Sequence, residues 1–200
     1  MRKPIVVTLV AVSLLLSLSL WARYQAHVPQ KISYDKALPD FSFPAIVGGR
    51  EQPLSLSALK GKVWIAGFVF TNCMGPCPLL TGRMAKLQLD LPVDIKLVTF
   101  TVDPQSDTLP VLKRYGQRFN ADFNRWYFVR GEESDLAKLV SEGFALPLSK
   151  NSNAPAASRM VHTTKLVLVD DQGRVRNYYD SDSPESFTSI LADARKLVKS

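Results

Sequence analysis

Cysteine and histidine are scarce in this chain of 200 residues, with two of each. Two cysteines supply at most one bridge. A chain of this length buries enough core to fold without one. They are Cys73 and Cys77, and a bridge closing so short a loop removes little unfolded-state entropy, so it would be a poor staple. A dense run of Lys or Arg is also missing. The formal charge is +7, yet the basic residues are mostly interleaved with acidic and apolar ones. That argues against nucleic acid as a partner and for a solvated face with weak attraction to anionic lipid or an acidic protein. Internal repeats and low-complexity blocks are lacking too, so the length suits one folded domain.

One long apolar run is present. Arg2 and Lys3 are followed by an uncharged stretch from Pro4 to Ala22, close to the about 20 apolar residues that a bilayer core requires of a helix. Trp21 and Tyr24 stand at its far end, where interfacial aromatics belong. A cleaved signal peptide needs a small-x-small site, but Ser19-Leu20-Trp21-Ala22 and Tyr24-Gln25-Ala26 each place a bulky residue where a small one is required. The run also exceeds the usual ~7–15-residue signal core. An uncleaved transmembrane helix over residues 1–22 is therefore expected, then a tether over residues 23–38 and a folded domain over residues 39–200. Cations ahead of the helix keep the N-terminus cytoplasmic. The expected location is the bacterial inner membrane with a periplasmic domain; the alternative is the mitochondrial inner membrane facing the intermembrane space. Both compartments permit disulfides, so two cysteines there form a deliberate pair.

The cysteines lie at a junction between elements. Residues 63–70, Val-Trp-Ile-Ala-Gly-Phe-Val-Phe, read as a buried strand. After Cys77, the residues Leu79, Leu80, Met84 and Leu87 recur at helical spacing, with Pro78 acceptable in a first turn. A helix N-terminus favours negative charge and so favours thiolate, the form that attacks disulfides and binds soft metals. Redox chemistry and metal binding both remain open on these residues alone.

Elsewhere the pattern predicts a short strand at residues 41–43 with a turn at Gly48-Gly49, and a capped helical turn over residues 54–59. Strands follow at residues 95–102, 126–129 and 165–169, with helices over residues 109–119, 134–140 and 184–198. Asp170-Asp171-Gln172-Gly173 marks a hairpin into a strand at residues 175–179, and residues 149–158 read as a flexible loop. Alternating strands and helices imply an α/β fold with a mixed central sheet and helices on both faces. In such sheets ligands gather at the carboxyl ends of parallel strands, so Cys73, Cys77 and Asp103 can share one edge.

Three motifs together resemble the Sco/SenC family, within the thioredoxin-like fold. They are Phe70-Thr71-Asn72-Cys73…Cys77-Pro78, Val102-Asp103-Pro104…Asp107-Thr108, and His162 ahead of Lys165-Leu166-Val167-Leu168-Val169-Asp170…Gly173. The resemblance implies copper, Cu(I) or Cu(II), bound by Cys73, Cys77 and His162. It also implies a copper metallochaperone for the binuclear copper centre of cytochrome c oxidase, with oxidase subunit II or another copper or thiol client as partner. Two thiolates and an imidazole suit Cu(I) and accept Cu(II). The other reading is a thiol–disulfide oxidoreductase in which Cys73 attacks and Cys77 resolves; a peroxidase has less support. His162 discriminates between the first two, since copper binding needs it and thiol exchange largely does not.

The chain departs from the family at Val161, where an acidic residue often precedes the histidine, and at Met74-Gly75-Pro76 between the cysteines. Met74 reads as a packing residue, with a soft auxiliary ligand as its other reading. Asp103 and Asp107 read as turn residues, with Asp107 or Thr108 capping the next helix; support of the cysteines by Asp103 stays open. Arg83 either steadies thiolate charge or is solvent-exposed.

Overall fold

Three strands without a polar face form the centre of the sheet. β4 (Trp64–Val69) and β6 (Trp126–Val129) are buried at every position, and β5 (Lys96–Thr101) at every position but Lys96. They run parallel, with Val69 level with Thr101 and Phe100 level with Val129. Parallel strands covered on both faces read as continuous apolar runs, as these do. Antiparallel strands extend both sides. β7 (Lys165–Val169) pairs with β4, β8 (Arg174–Asp180) with β7, and β1 (Lys36–Ala37) with β8. On the other side β2 (Ser42–Val47) pairs with β6, and β3 (Arg50–Ser55) with β2. The order is β1-β8-β7-β4-β5-β6-β2-β3.

This computed structural model describes residues 36–147 and 164–199, which fall within one compact unit, Ser33–Ser200. The expected membrane helix over residues 1–22, most of the tether, the loop at residues 149–158 and His162 lie outside the described residues. Among the described residues, no helix is long and apolar enough to cross a membrane.

Among the described residues, five helices cover the sheet: α1 (Leu56–Leu59), α2 (Pro76–Asp90), α3 (Leu109–Arg118), α4 (Glu133–Lys138), which continues as a π-helical turn at Leu139–Gly143, and α5 (Pro184–Lys199). Side-chain alternation along β4 divides the core. Trp64, Ala66 and Phe68 join Phe100, Leu59, Leu136 and Phe144 on one face. Ile65 and Val69 join Leu80, Met84, Leu112, Tyr115 and Ile190 on the other. Helices therefore lie on both faces of a mixed sheet, as the thioredoxin-like fold requires.

Two strands lack a sequence signal. β3 carries Arg50, Glu51, Gln52 and Pro53, all exposed, so no apolar alternation announces it. It is an edge strand, where proline is tolerated, and Gly48 and Gly49 at φ +58° and +74° close its two-residue hairpin with β2. The expected helical turn is accordingly shorter at its start. Ser55 ends β3 and caps α1, its Oγ accepting the Ala58 N–H at 3.3 Å. β1 is two residues long and uses Lys36 and Ala37, from the end of the expected tether.

One glycine positions the site. A Cβ on Gly67 of β4 would lie 2.6 Å from Met84 Sδ and 3.0 Å from Leu80 Cδ2. Its absence lets α2 settle directly on the strand. At the other end of α2, Arg125 is buried and donates to the carbonyls of Leu91, Pro92 and Ile95, the last two at 2.7 and 3.2 Å. Those bonds fix the turn from α2 into β5.

Candidate metal centre

The cysteine loop starts where β4 stops. Cys73 N–H closes a turn onto the Phe70 carbonyl at 3.2 Å. Three residues later Pro76 opens α2, its fixed φ suited to the first turn. The residue before it, Gly75, has no side chain to cap the helix. Cys73 fills that role, its Sγ accepting the Cys77 N–H at 3.4 Å. The Cys73 sulfur thus stands at the N-terminus of α2.

The two sulfurs have different surroundings. Both are free thiols; Cys73 is half-buried and Cys77 is buried against the core beneath α2. Burial, followed by the hydrogen bond with Cys73, pushes the Cys77 thiol up to about 12. At neutral pH the inner group therefore holds its proton, while the outer one is reachable from solvent. A soft cation arriving between them would displace the inner proton, because a metal-bound thiol is deprotonated. This donor set fits a copper ion of either valence better than a hard cation.

Asp107 holds the loop in place, a role its sequence pattern did not disclose. It has no exposed surface, and its carboxylate accepts the Thr71 N–H at 3.1 and 3.2 Å and the hydroxyls of Thr71 and Thr101. Burial raises its pKa, while the Thr101 and Thr71 donors pull it back down. The expected capping role is thereby corrected. Thr108 occupies the N-cap of α3 without a side-chain bond, and Asp107 faces the cysteine loop instead. The available signal was a hydroxyl residue, Thr71, two positions before the first cysteine, facing Asp-Pro-x-x-Asp at the end of the neighbouring parallel strand. Asp103 does form a turn: its Oδ1 accepts the Ser106 N–H at 3.3 Å and its carbonyl the Asp107 N–H at 2.9 Å.

Two further residues differ from expectation. Arg83 neither approaches the sulfurs nor lies free. Its Nε donates to the Ser181 carbonyl at 3.0 Å and its Cζ stands 5.7 Å from the Phe187 ring centre, so it ties α2 to the start of α5. Met74 is 99% exposed, so it packs against nothing among the described residues, contrary to the expected packing role. Among the described residues, no group of three or more His, Cys, Asp and Glu could hold a metal. A third protein ligand to a metal on the two sulfurs would come from outside the described residues. The chain re-enters the sheet at Thr164, whose carbonyl accepts the Ser181 N–H at 2.9 Å. Since Ala66 faces Val167 in an antiparallel pair, β7 starts beside the carboxyl end of β4, the end that carries Cys73.

The SCO1/SenC family model matches residues 35–199, which takes in both cysteines, Asp107 and the β7–β8 hairpin. The chain belongs to the SCO1/SenC family. Among relatives, a SCO1 protein homolog of Bacillus subtilis is 30% identical over 146 residues, covering 71% of this chain and 74% of the relative. A protein of Stutzerimonas stutzeri named for copper binding is 30% identical over 148 residues, covering 72% and 69%. Among solved structures, a SCO1/SenC family lipoprotein of Bacillus anthracis superposes with a TM-score of 0.71 at 32% identity, over 84% of this chain and 98% of that one. BsSco, described as having a disulfide switch and as a member of the Sco family of cytochrome c oxidase assembly proteins, gives 0.71 at 26% identity, over 86% and 98%. Each superposition bears out the thioredoxin-like fold with its mixed sheet.

Proposed function

We propose that this SCO1/SenC protein is a membrane-tethered copper metallochaperone. It binds one copper ion through Cys73, Cys77 and His162 and passes it by ligand exchange to the binuclear copper centre of cytochrome c oxidase, in subunit II. The observation that carries the reading is the placement of Cys73 Sγ over the Cys77 N–H at 3.4 Å, at the carboxyl end of a central parallel strand. His162 is two residues before Thr164, a reach of at most about 7 Å along the chain, and Thr164 adjoins that same end of the sheet. The relatives named for copper binding and for oxidase assembly support the cargo and the client. The uncharged run over residues 4–22 supports the anchor, with the domain on the periplasmic side. A relative that is a lipoprotein also supports membrane attachment.

A second reading rests on the asymmetry of the thiols. In it, the Cys73 thiolate attacks a client disulfide and one client sulfur leaves as thiolate. Cys77 then attacks Cys73, releasing the second client sulfur. The chain ends as the Cys73–Cys77 disulfide and the client as a dithiol, with two electrons and two protons transferred. A Sco relative described as having a disulfide switch supports this reading.

Metal analysis of the reduced chain in non-ionic detergent separates the two. The copper reading expects one copper per chain, loss of tight binding in Cys73→Ser and Cys77→Ser, and weakened binding in His162→Ala with disulfide formation intact. A strain carrying His162→Ala should then lose oxidase activity at limiting copper. Full activity in that strain, beside loss in Cys73→Ser, would establish thiol exchange instead.

A further inference from the structure

A cleft of about 630 Å³ opens beside the cysteine loop. Thr71 and Asn72 of the loop form one wall, and Val111, Arg114, Tyr115 and Arg118 of α3 form the other. Among the described residues, no acidic one lines it. Arg114 is exposed, and neither arginine makes an ion pair among the described residues. The Arg118 guanidinium rests on the Tyr115 ring, 5.1 Å from its centre. Adjacent Lys113, by contrast, is committed to the Gly49 carbonyl at 2.8 Å. The helix dipole accounts for a cation in the last turn, where Arg118 lies, but not for Arg114 a turn earlier.

The spacing of the two arginines selects an occupant. Residues four apart on a helix are separated by about 6 Å along its axis. Side chains two apart on an extended strand repeat at about 6.6 Å. Carboxylates at alternate positions of an extended segment can therefore meet both guanidinium groups in bidentate pairs. We propose that this cleft docks an extended acidic segment of the client protein, of the form Asp/Glu-x-Asp/Glu, and so holds the client's receiving atoms at Cys73. The inference rests on the reading that the cysteines serve a protein client, and it names how that client is held.

The test uses the reduced full chain in non-ionic detergent and two synthetic peptides. Each carries one cysteine activated as a 2-thiopyridyl disulfide, beside Glu-x-Glu in one peptide and Gln-x-Gln in the other. The Cys73 thiolate attacks the peptide sulfur, the mixed disulfide forms, and 2-thiopyridone leaves and is followed by absorbance. Rates are normalised to dipyridyl disulfide, which carries no peptide. Docking predicts that the acidic peptide reacts at least tenfold faster than the neutral one at low salt. That advantage should disappear in Arg114→Gln/Arg118→Gln. It should survive within twofold in Lys60→Gln/Lys138→Gln, which removes the same charge from the helices on the other face of the sheet. Equal rates for the two peptides overturn the proposal, as does an advantage that persists without the arginines or vanishes equally with the lysines. Copper content of the same preparations keeps the two readings apart. A failed docking site leaves one copper per chain and no acidic advantage. A failed copper reading leaves the acidic advantage on a chain that holds no copper.

Discussion

Removing the Asp107 carboxylate tests how the cysteine loop is held. In Asp107→Ala the Thr71 N–H and the hydroxyls of Thr71 and Thr101 lose their shared acceptor. Hydroxyls can rotate toward other acceptors, but the amide cannot. A polar group left without a partner costs about 1–3 kcal/mol, and the vacated carboxylate volume adds to that. Against this, the variant no longer desolvates a charge. The expected net loss is about 1–3 kcal/mol at neutral pH. Asp107→Asn keeps an acceptor for Thr71 and should lose less than about 1 kcal/mol. Urea unfolding of the Ser33–Ser200 unit, followed through buried Trp64 and Trp126, measures both. The Ala variant should also expose Cys77 to alkylation, because Thr71 anchors the loop that covers it.

Proton linkage gives the same residue a signature in pH. Burial raises the folded-state pKa of Asp107 above the ordinary carboxylate value. The folded chain therefore keeps this proton at a pH where the unfolded chain has released it. The stabilising contribution is complete below the unfolded value, near 4, and is lost as pH rises through the folded value. Wild-type stability relative to Asp107→Asn should thus fall as pH rises from about 4. An unchanged urea midpoint in Asp107→Ala would refute the clamp. So would a wild-type advantage over Asp107→Asn that grows with pH.

Other outcomes follow from neighbouring geometry. Gly67→Ala should cost about 1–3 kcal/mol through overpacking and speed alkylation of Cys77, since the new Cβ meets Met84 Sδ at 2.6 Å; an unchanged thermal midpoint would show that α2 is not seated on β4. Copper affinity, measured by chelator competition, should tighten about tenfold per pH unit between pH 6 and 8 for the proton displaced from Cys77; a flat profile would mean that Cys77 is not a ligand. Met74→Ala should change stability by less than about 0.5 kcal/mol, because its side chain is fully exposed; a larger loss would reveal packing outside the described residues. A client-like disulfide peptide should accumulate as a mixed disulfide on Cys73 in the metal-free chain, and rapid resolution would contradict the high pKa of Cys77.

Much of the fold was legible because the central strands are buried on both faces. Residues 63–70, 95–102 and 126–129 contain little that water would favour, so burial is written into their composition. β3 escaped notice for the opposite reason: an edge strand pairs through its backbone, and Arg50, Glu51 and Gln52 need no apolar pattern. The cysteine pair was equally plain, since spacing and a following helix suffice to place two sulfurs near a helix N-terminus. Asp107 was not. A turn aspartate before a helix normally caps it, and only the register of β4 against β5 shows that Thr71 lies within reach. Arg83 was misread for a similar reason. Its distance from Cys77 along the helix was evident, but the carbonyl of Ser181, 98 residues away, was not.

The inequality of the two sulfurs bears on which chemistry the site favours. Burial holds the Cys77 thiol well above the ordinary thiol range, so only a small fraction is thiolate at neutral pH. As the resolving partner in thiol exchange, Cys77 would attack from that small fraction, and nothing in the mixed disulfide supplies the positive charge that would lower its pKa. A copper ion bound there, as proposed, would supply that charge. It would stabilise the inner thiolate in the core, and its departure would return the proton to a buried thiol. Cys77 protonation would thus oppose binding and keep the ion transferable. The half-buried Cys73, reachable from solvent and beside the cationic cleft, would be the ligand that a client sulfur replaces first. A sulfur pair built to hold an ion permanently would bury both ligands, whereas thiol exchange requires only the attacking sulfur as a ready thiolate. This pair buries one sulfur and presents the other, so in the proposed copper role the outer sulfur would release first and the inner one would reprotonate.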